Sequence, residues 1–417
     1  MAGAADYGFG DQGPLLTLET AVDEAVAWHP SIEEASGNVD ASTENIAASR
    51  AGYLPQISVG LGSGYDNTVR SNWRPRASVS ASQMLYDFGK VSSSVAIAEA
   101  DTRDSEAQLL QAVDSLVRDT SYAFVEIQRT NDLLQVAGEQ LASIREISEL
   151  VGHRFERGAA TRSDALQARA RVQAAQATIE EIEAERERWI SNLAYLLGRE
   201  SIGNVSADMP DWFLTACDQD AVDWGAVPAI MQVRAQRDHA LGELDRSRAD
   251  GLPTVSFGAD AGTEIADPVS GRKEYSFGLN ISSALYSGGA SKARVRSATA
   301  ALGAADAAEA KVRNEIRRQF AEARGRIDGF TRVMATLDLR ESSMRETGKL
   351  YRLQYLEMGT RTLVDLLNAE QELHQVRFEF VNTKHDLRRL QADCLFFSGA
   401  TRSAYGLNKS AFAERVG

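Results

Sequence analysis

The chain repeats its own sequence pattern after about 200 residues, and this repeat constrains the fold more than any other feature. The stretch "GYLPQISVG", which begins at Gly52, corresponds to "DGLPTVSFG", which begins at Asp250. Likewise "FERGAATRSD", with Gly158, corresponds to "LEMGTRTLVD", with Gly359, and the offset changes only from 198 residues at the Leu-Pro pairs to 201 at these glycines. Because this period is too long for a solenoid repeat, we infer that a whole structural unit is duplicated.

Each half predicts the same order of elements: a helix after a proline, two strands, and two long helices. The predicted regions are a first repeat at 1–200, a connector at 201–227, a second repeat at 228–400 and a C-terminal tail at 401–417. The predicted strands are at about 54–66, 75–87, 253–265 and 273–286. The predicted long helices are at about 89–157, 160–198, 289–358 and 360–398.

The long helices are predicted from spans without proline between glycines. Gly89 to Gly158 is 69 residues and Gly289 to Gly359 is 70 residues, so each helix extends for about 100 Å at about 1.5 Å per residue. In the last helix, mostly apolar residues recur at steps of three and four, which is typical of a coiled-coil seam. These residues are Leu366, Ala369, Leu373, Val376, Phe380, Thr383, Leu387, Leu390, Cys394 and Phe397.

The strands alternate between apolar residues and small or polar ones. Ile57, Val59 and Leu61 fall on one face of the first strand, with Ser58 and Gly60 on the other. Aromatic residues lie near the strand ends, namely Tyr65, Trp73, Tyr86, Phe88, Tyr275 and Tyr286. This pattern is typical of a membrane β-barrel, although a half-buried hairpin of a soluble protein gives the same alternation.

Composition excludes several classes of function. The net charge of −14, without a block of Lys and Arg, argues against a nucleic-acid partner. No apolar run reaches the roughly 18 to 20 residues of a transmembrane helix, and the opening "MAGAADYGFGDQGP" lacks the features of a signal peptide, so we expect either a soluble protein or one whose signal peptide has been removed. The five histidines lack ligand spacing, and nucleophile and phosphate motifs are missing, so we predict no catalysis, no metal and no cofactor.

The two cysteines predict little. Cys217 and Cys394 are too few and too distant in sequence to suggest a disulfide framework or a zinc site. Because Cys394 falls on the coiled-coil seam, we interpret it as a small buried apolar residue, and Cys217 as part of a packed patch in the connector with Trp212, Phe213 and Trp224.

Four strands cannot close a membrane barrel, because the smallest known barrels have eight, so a barrel requires several subunits. The doubled Leu-Pro strand units, the helical hairpins punctuated by glycine and "GTRTLVDLLNAEQEL" together resemble the TolC family of outer-membrane export channels over nearly the whole chain. The resemblance implies a mainly α-helical homotrimer, in which four strands per chain form a shared 12-stranded transmembrane β-barrel in the outer-membrane lipid. It also implies a long periplasmic α-helical coiled-coil tunnel that continues the barrel.

The resemblance also implies partners: a periplasmic adaptor and an inner-membrane ABC transporter or another pump. "RTLVDLLNAEQEL" most resembles the branch that serves type I protein secretion, and no cysteine for lipidation lies near the start of the chain. Two alternatives remain open. One is the outer-membrane component of a multidrug or small-molecule efflux pump, and the other is a soluble coiled-coil scaffold. The sequence does not predict the exported substrate, because in a passive duct the inner-membrane partner selects it.

Two turns between the long helices carry the predicted functional residues. Thr161 precedes Asp164 by three residues, and Thr362 precedes Asp365 by three, which predicts two capping boxes. The resemblance implies a periplasmic gate and selectivity ring at these turns. Arg361 corresponds to an arginine that holds the channel shut, and Ser163 with Asp164 to the polar pair that it engages.

Other positions near these turns also correspond to gate positions of the family, with two departures. Asp365 corresponds to an acid of the cation-attracting ring, whereas Asn368 stands where the family has a second acid. By resemblance, a tyrosine is expected three residues before Gly359, but this chain has Leu356 there, with Tyr355 adjacent.

The turns also correspond to the adaptor-docking grooves of the family, through Arg157, Gly158, Ala159, Met358, Gly359 and Thr360.

Overall fold

The computed structural model describes residues 15–66, 72–218, 221–264 and 273–407. Within these ranges, no helix combines the length and the apolar composition that a membrane crossing requires. The side chains of Tyr65 and Trp73, two of the aromatic residues predicted near strand ends, lie outside the described part. The C-terminal tail after Leu407 lies outside it as well.

Helices make up most of the described chain, and four strands form one sheet. The helices are α1 (Leu18–Trp28), α2 (Pro30–Arg50), α3 (Lys90–Glu156), α4 (Arg162–Leu197), α5 (Asp211–Leu214), α6 (Pro228–Ala249), α7 (Ala290–Leu353), α8 (Leu363–Ser398) and α9 (Thr401–Ala404). The strands are β1 (Gln56–Asp66), β2 (Asn72–Tyr86), β3 (Thr254–Glu264) and β4 (Glu274–Ser282). A 3₁₀ turn covers Ala51–Tyr53, and a π-helical turn covers Gln354–Met358.

The helix predicted after Pro30 is α2, and α1 precedes it. A capping box between Thr17 and Thr20 starts α1. The helix ends at Trp28, and the next residue, His29, has an extended backbone (ψ 128°), because Pro30 disfavours the α conformation at the residue before it.

The described chain forms two compact units, and both repeats contribute to each. One unit, which we call the helical unit, contains the residues up to Ile32, Ala112–Val227 and those from Glu315 onward. The other, which we call the sheet unit, contains Glu33–Gln111 and Pro228–Asn314. The long helices α3 and α7 each contribute residues to both units.

The sheet is antiparallel in the order β1-β2-β3-β4, and its register separates two chemically different faces. Val59 pairs with Val79, Val79 with Ala261, and Ala261 with Tyr275, so apolar residues continue across all four strands. The side chains on this face are exposed, among them Ile57 (72%), Val59 (74%), Leu61 (77%), Phe277 (75%), Leu279 (71%) and Ile281 (71%).

The opposite face of the sheet carries small and polar side chains. One row across the strands consists of Ser58, Ser80, Asp260 and Ser276. The hydroxyl groups of Ser58 and Ser80 lie 2.6 Å apart, at hydrogen-bonding distance. The alternation predicted from the sequence is therefore present in all four strands.

The last strand is shorter than predicted. We expected β4 to continue to Tyr286, but it ends at Ser282. Its partner strand β3 begins at Thr254, which pairs with Ser282, so the residues after Ser282 have no β3 residue to bond. Leu285 and Tyr286 are then almost fully exposed, at 98% and 89%.

In the helical unit, a half-buried ion pair and a hydrogen bond to one carboxylate join α3 to α8. The Asp132 carboxylate lies 2.9 Å from both Lys384 Nζ and His385 Nε2, and His385 is fully buried. Burial alone would raise the pKa of Asp132, but the hydrogen bonds from His385 and Lys384 outweigh it and hold this pKa at about 2. Asp132 is therefore ionised throughout the physiological pH range.

The structure corrects the interpretation of the cysteines. Cys217 and Cys394 form a disulfide, with Cα atoms 5.3 Å apart across 177 residues of sequence. Both cysteines pack with Phe320, Ala323 and Leu390 in one buried cluster. Spacing along the chain failed to predict the bond because the fold, and not proximity in sequence, brings the connector onto α8.

The segment that follows α8 is tied back to the connector and to α3. The guanidinium of Arg402 lies 3.1 Å from Asp114 and donates to the backbone carbonyl of Ala226 at 2.5 Å. Burial raises the pKa of Asp114 to about 7, although the positive charge of Arg402 opposes the shift. Gly399 permits the close approach, since a Cβ there would lie 3.1 Å from backbone atoms of Asp223 and Ala226.

We predict that the disulfide stabilises the helical unit by about 2 to 4 kcal/mol, because it restricts the unfolded chain over a long loop. Replacing Cys217 and Cys394 together by serine should lower the thermal unfolding midpoint in detergent. Reduced wild-type protein should unfold like the double variant. Equal midpoints for the oxidised protein, the reduced protein and the variant would show that the bond contributes nothing.

Candidate functional site

The candidate site consists of the two turns that join α3 to α4 and α7 to α8, together with the helix ends beside them. Each turn depends on a glycine in the left-handed conformation, Gly158 at φ 74° and Gly359 at φ 61°. A Cβ at either position would meet no atom within 4 Å. Backbone conformation, and not crowding, is therefore the reason for glycine here.

The two predicted capping boxes are both present. Thr161 Oγ1 accepts from the backbone N–H of Asp164 at 3.2 Å, and the Asp164 carboxylate accepts from the N–H of Thr161 at 3.0 Å. Thr362 and Asp365 make the same two bonds at 3.2 and 3.1 Å. Hydrogen bonds from the backbone and side chain of Thr362, and then the positive charge of Arg361, lower the pKa of Asp365. Asp365 is therefore charged at neutral pH.

Arg361 lies against its own hairpin. Its guanidinium is 4.3 Å from the centre of the Tyr351 ring, and its Nε donates to Gln354 Oε1 at 3.1 Å. The predicted partners of Arg361 are engaged locally: Ser163 lies 2.7 Å from Thr161 Oγ1, and Asp164 caps α4. Within the described chain, the structure therefore does not join Arg361 to Ser163 or Asp164.

Tyr355 lies in the π-helical turn Gln354–Met358, four residues before Gly359. Only 7% of Tyr355 is exposed, and this burial raises its pKa; the negative charge of Asp164 adds to the shift, whereas Arg154 opposes it.

A contact that the sequence did not predict joins the two hairpins beside the turns. Arg154, in the last turn of α3, stacks its guanidinium 4.9 Å from the centre of the Tyr355 ring. Its Nη1 also donates to the backbone carbonyl of Tyr355 at 3.3 Å. The sequence pointed to Tyr355 but did not pair it with Arg154, and Tyr351 and Gln354 were not predicted.

The remaining predicted residues lie on the surface. The six residues of the predicted docking turns, Arg157, Gly158, Ala159, Met358, Gly359 and Thr360, are all exposed. Asn368 is also exposed, one turn after Asp365 on α8. Across the described residues, no cluster of His, Cys, Asp and Glu has an arrangement that could bind a metal ion.

Comparison with known proteins identifies the family. The family described as "Outer membrane efflux protein" matches residues 21–199 and 226–393, which correspond to the two repeats. The chain belongs to this family. The alkaline protease secretion protein AprF of Pseudomonas aeruginosa is 27% identical over 90% of this chain and 82% of its own. Outer membrane protein TolC of Vibrio cholerae is 24% identical over 89% and 90%.

Solved structures agree with this assignment. The outer membrane protein VceC from Vibrio cholerae superposes with a TM-score of 0.81 at 17% identity, covering 92% of this chain and 96% of VceC. The resemblance to the TolC family and the mainly helical fold with a small sheet are therefore confirmed. Family membership makes the chain an outer-membrane export channel, without distinguishing secretion from efflux.

The capping boxes give a test of the turn geometry. We expect Thr161→Ala to increase amide hydrogen exchange at the start of α4 about fivefold, because losing the cap costs about 1 kcal/mol. Arg162→Ala is the control, since Arg162 is exposed and adjacent but does not cap the helix. Mass spectrometry of peptides that span residues 159–168 would measure the difference. Equal exchange in both variants would contradict the assigned role of Thr161.

Proposed function

We propose that this chain is the outer-membrane channel-tunnel of a tripartite type I protein secretion system. In that role it is the passive exit duct for substrates delivered by an inner-membrane ABC transporter through a periplasmic adaptor. The two-faced sheet is the observation that carries the proposal. Its exposed apolar face, with Val59 and Phe277, suits contact with lipid, and its polar face, with Ser58 and Asp260, suits a wet lumen.

The strand number supports a trimer. Four strands leave the outer sides of β1 and β4 as open edges, which a membrane does not tolerate. In three copies, β4 of one subunit would pair with β1 of the next and produce a closed 12-stranded barrel. The same arrangement would bring three copies of the helical hairpins together and form a coiled-coil tunnel in the periplasm.

The exposed turns support a docking role. Arg157, Gly158 and Ala159, and likewise Met358, Gly359 and Thr360, present backbone and side chains that the chain itself leaves uncovered. Met358 is 62% exposed, so the second turn offers an apolar side chain to a partner. We assign these two turns to the periplasmic adaptor.

The gate would form where three copies of the turns surround one axis. There Asp365, which is charged and partly exposed, would contribute to a ring that attracts cations, together with Asp164. Asn368 would leave this ring with one charge fewer per subunit. Because Arg361 is not joined to Ser163 or Asp164 within the described chain, we assign that link to contacts between neighbouring subunits.

Efflux of small molecules is the second candidate, and the description of the family itself favours it. The similarity to AprF favours protein secretion instead. Deleting the gene in its native host separates the two. We expect a secreted protein to disappear from the culture medium while susceptibility to toxic small molecules stays the same. Increased susceptibility with an unchanged set of secreted proteins would assign the channel to efflux.

The gate assignment makes a prediction about conductance. Arg361→Ser should raise the single-channel conductance in planar bilayers, because it removes a closing contact between subunits. Arg162→Ser, in the other turn, is the control for loss of a surface arginine. Unchanged conductance in Arg361→Ser would leave Arg361 with only its local contacts to Tyr351 and Gln354.

A second prediction concerns ion selectivity. Asp365→Asn keeps the size of the side chain but removes its charge, so the preference for cations should weaken. The reversal potential under a salt gradient would measure this preference. Asn368→Asp is the matched variant, since it adds an acid at the position where the charge ring is reduced, and should strengthen the preference. A reversal potential that both variants leave unaltered would remove α8 from the selectivity ring.

A further inference from the structure

The start of α7 is a basic segment in an acidic chain. The whole chain carries a net charge of −14, yet no Asp or Glu occurs between Glu274 and Asp306. Three cations fall within this interval, namely Lys292, Arg294 and Arg296. All three lie in the first two turns of α7, and all three are exposed. The segment is therefore a local patch of positive charge.

The three cations of this patch have no carboxylate partner within the chain. Among the residues that the structure describes, they form no salt bridge and no side-chain hydrogen bond. Other cations at the ends of neighbouring helices are engaged. Lys90 Nζ, at the start of α3, donates to the carbonyl of Leu252 at 2.9 Å, and Arg50, at the end of α2, lies 2.9 Å from Glu99. The start of α7 alone keeps its charge available for an external anion.

The patch follows the end of the sheet from which the helices extend. β4 ends at Ser282, opposite Thr254, and β2 ends at Tyr86 on the same side of the sheet. Exposed aromatic side chains mark this end, since Tyr86 and Tyr286 are 57% and 89% exposed. Tyrosines of this kind lie at the level of the lipid headgroups in membrane proteins. The sheet and the start of α7 belong to the same compact unit.

The cations also lie close to this sheet end along the helix. From Ala290, the first residue of α7, to Arg296 the helix rises about 9 Å. The Debye length at physiological ionic strength is similar, roughly 8 Å. A charged membrane surface at the sheet end would therefore attract these side chains without being fully screened.

We propose that Lys292 and Arg296 form a binding site for the anionic headgroup of a phospholipid in the periplasmic leaflet. The proposal rests on the channel function proposed above, because it requires the apolar face of the sheet to lie in hydrocarbon. Residues four apart project from the same side of a helix, so the two cations can hold one phosphate between them. Arg294 projects from the other side of α7 and is not part of the site.

A lipid suits the site better than a soluble anion does. Leu285, which precedes the patch, is 98% exposed, and Leu279 and Ile281 on the apolar face of β4 are each 71% exposed. An anionic phospholipid would satisfy the cations with its phosphate and cover apolar side chains with its acyl chains. Inorganic phosphate would gain only the contact with the charges.

Native mass spectrometry of the protein released from micelles would test the site. Titration with phosphatidylglycerol, and separately with phosphatidylcholine, would give the affinity of each lipid for the protein. The wild type should prefer phosphatidylglycerol. Lys292→Gln and Arg296→Gln should each reduce this preference about fivefold, because one basic side chain near a lipid surface contributes about 1 kcal/mol. The mass of the assembled protein in the same spectra verifies that each variant assembles.

Two matched variants control for the loss of charge alone. Arg294→Gln removes one cation from the same segment but from the other side of α7. Lys311→Gln removes an exposed cation of α7 that lies about 22 Å beyond Arg296, outside the reach of the headgroups. Both variants should keep the preference of the wild type. An excess of inorganic phosphate should not displace bound phosphatidylglycerol.

The outcomes separate this proposal from the channel function itself. Failure of the wild type to form channels in planar bilayers would contradict the proposed function. Channels whose protein binds the two lipids equally well would leave that function intact and overturn the headgroup site. An equal loss of preference in Arg294→Gln would also overturn it, because general attraction, and not the pair, would then hold the lipid. Displacement by inorganic phosphate would overturn the assignment to a lipid.

Discussion

The exposed apolar face of the four-stranded sheet is the feature on which the channel interpretation depends. Ile57, Val59, Phe277 and Leu279 are more than 70% exposed in the single chain, although large apolar side chains are usually buried. A continuous apolar face of this kind needs lipid or another protein surface to cover it. Because the opposite face is small and polar, the sheet fits a boundary between hydrocarbon and water.

In the helical unit, the chain direction reverses twice between long helices. Each reversal uses a left-handed glycine, Gly158 or Gly359, followed by a Thr-Asp capping box that satisfies the first N–H groups of the returning helix. Farther along α8, the disulfide between Cys217 and Cys394 fastens the connector to this helix. Local backbone chemistry sets the turns, and the covalent bond holds the segment between the repeats.

Sequence reasoning could predict the features that depend on local pattern. The repeat, the alternation in β1 and the capping boxes at Thr161 and Thr362 are all written in neighbouring residues, and the structure contains them. The disulfide could not be predicted from spacing, since its two cysteines meet only after the connector folds onto α8. The early end of β4 at Ser282 depended on where β3 begins.

In the candidate site too, the features set by neighbouring residues could be predicted and the contacts between distant residues could not. Gly359, Thr362 and Asp365 could be placed in the turn from their order alone. The partners of Arg361 and Arg154 could not be predicted, because the segment before Gly359 is a π-helical turn and the sequence does not distinguish such a turn from an α turn. Side-chain contacts between α3 and the segment after α7 depend on the packing of two hairpins, and no pattern within either hairpin encodes it.

The most direct test of the membrane-embedded sheet is to measure which of its faces contacts lipid. Phe277→Cys and its neighbour Ser276→Cys would each carry a fluorescent label on the protein reconstituted into vesicles, and the two native cysteines would not react because they form a disulfide. If the apolar face meets lipid, a lipid-soluble quencher will quench the label at position 277 and a water-soluble quencher will quench the label at position 276. Quenching of both labels by the water-soluble quencher alone would contradict a membrane-embedded sheet.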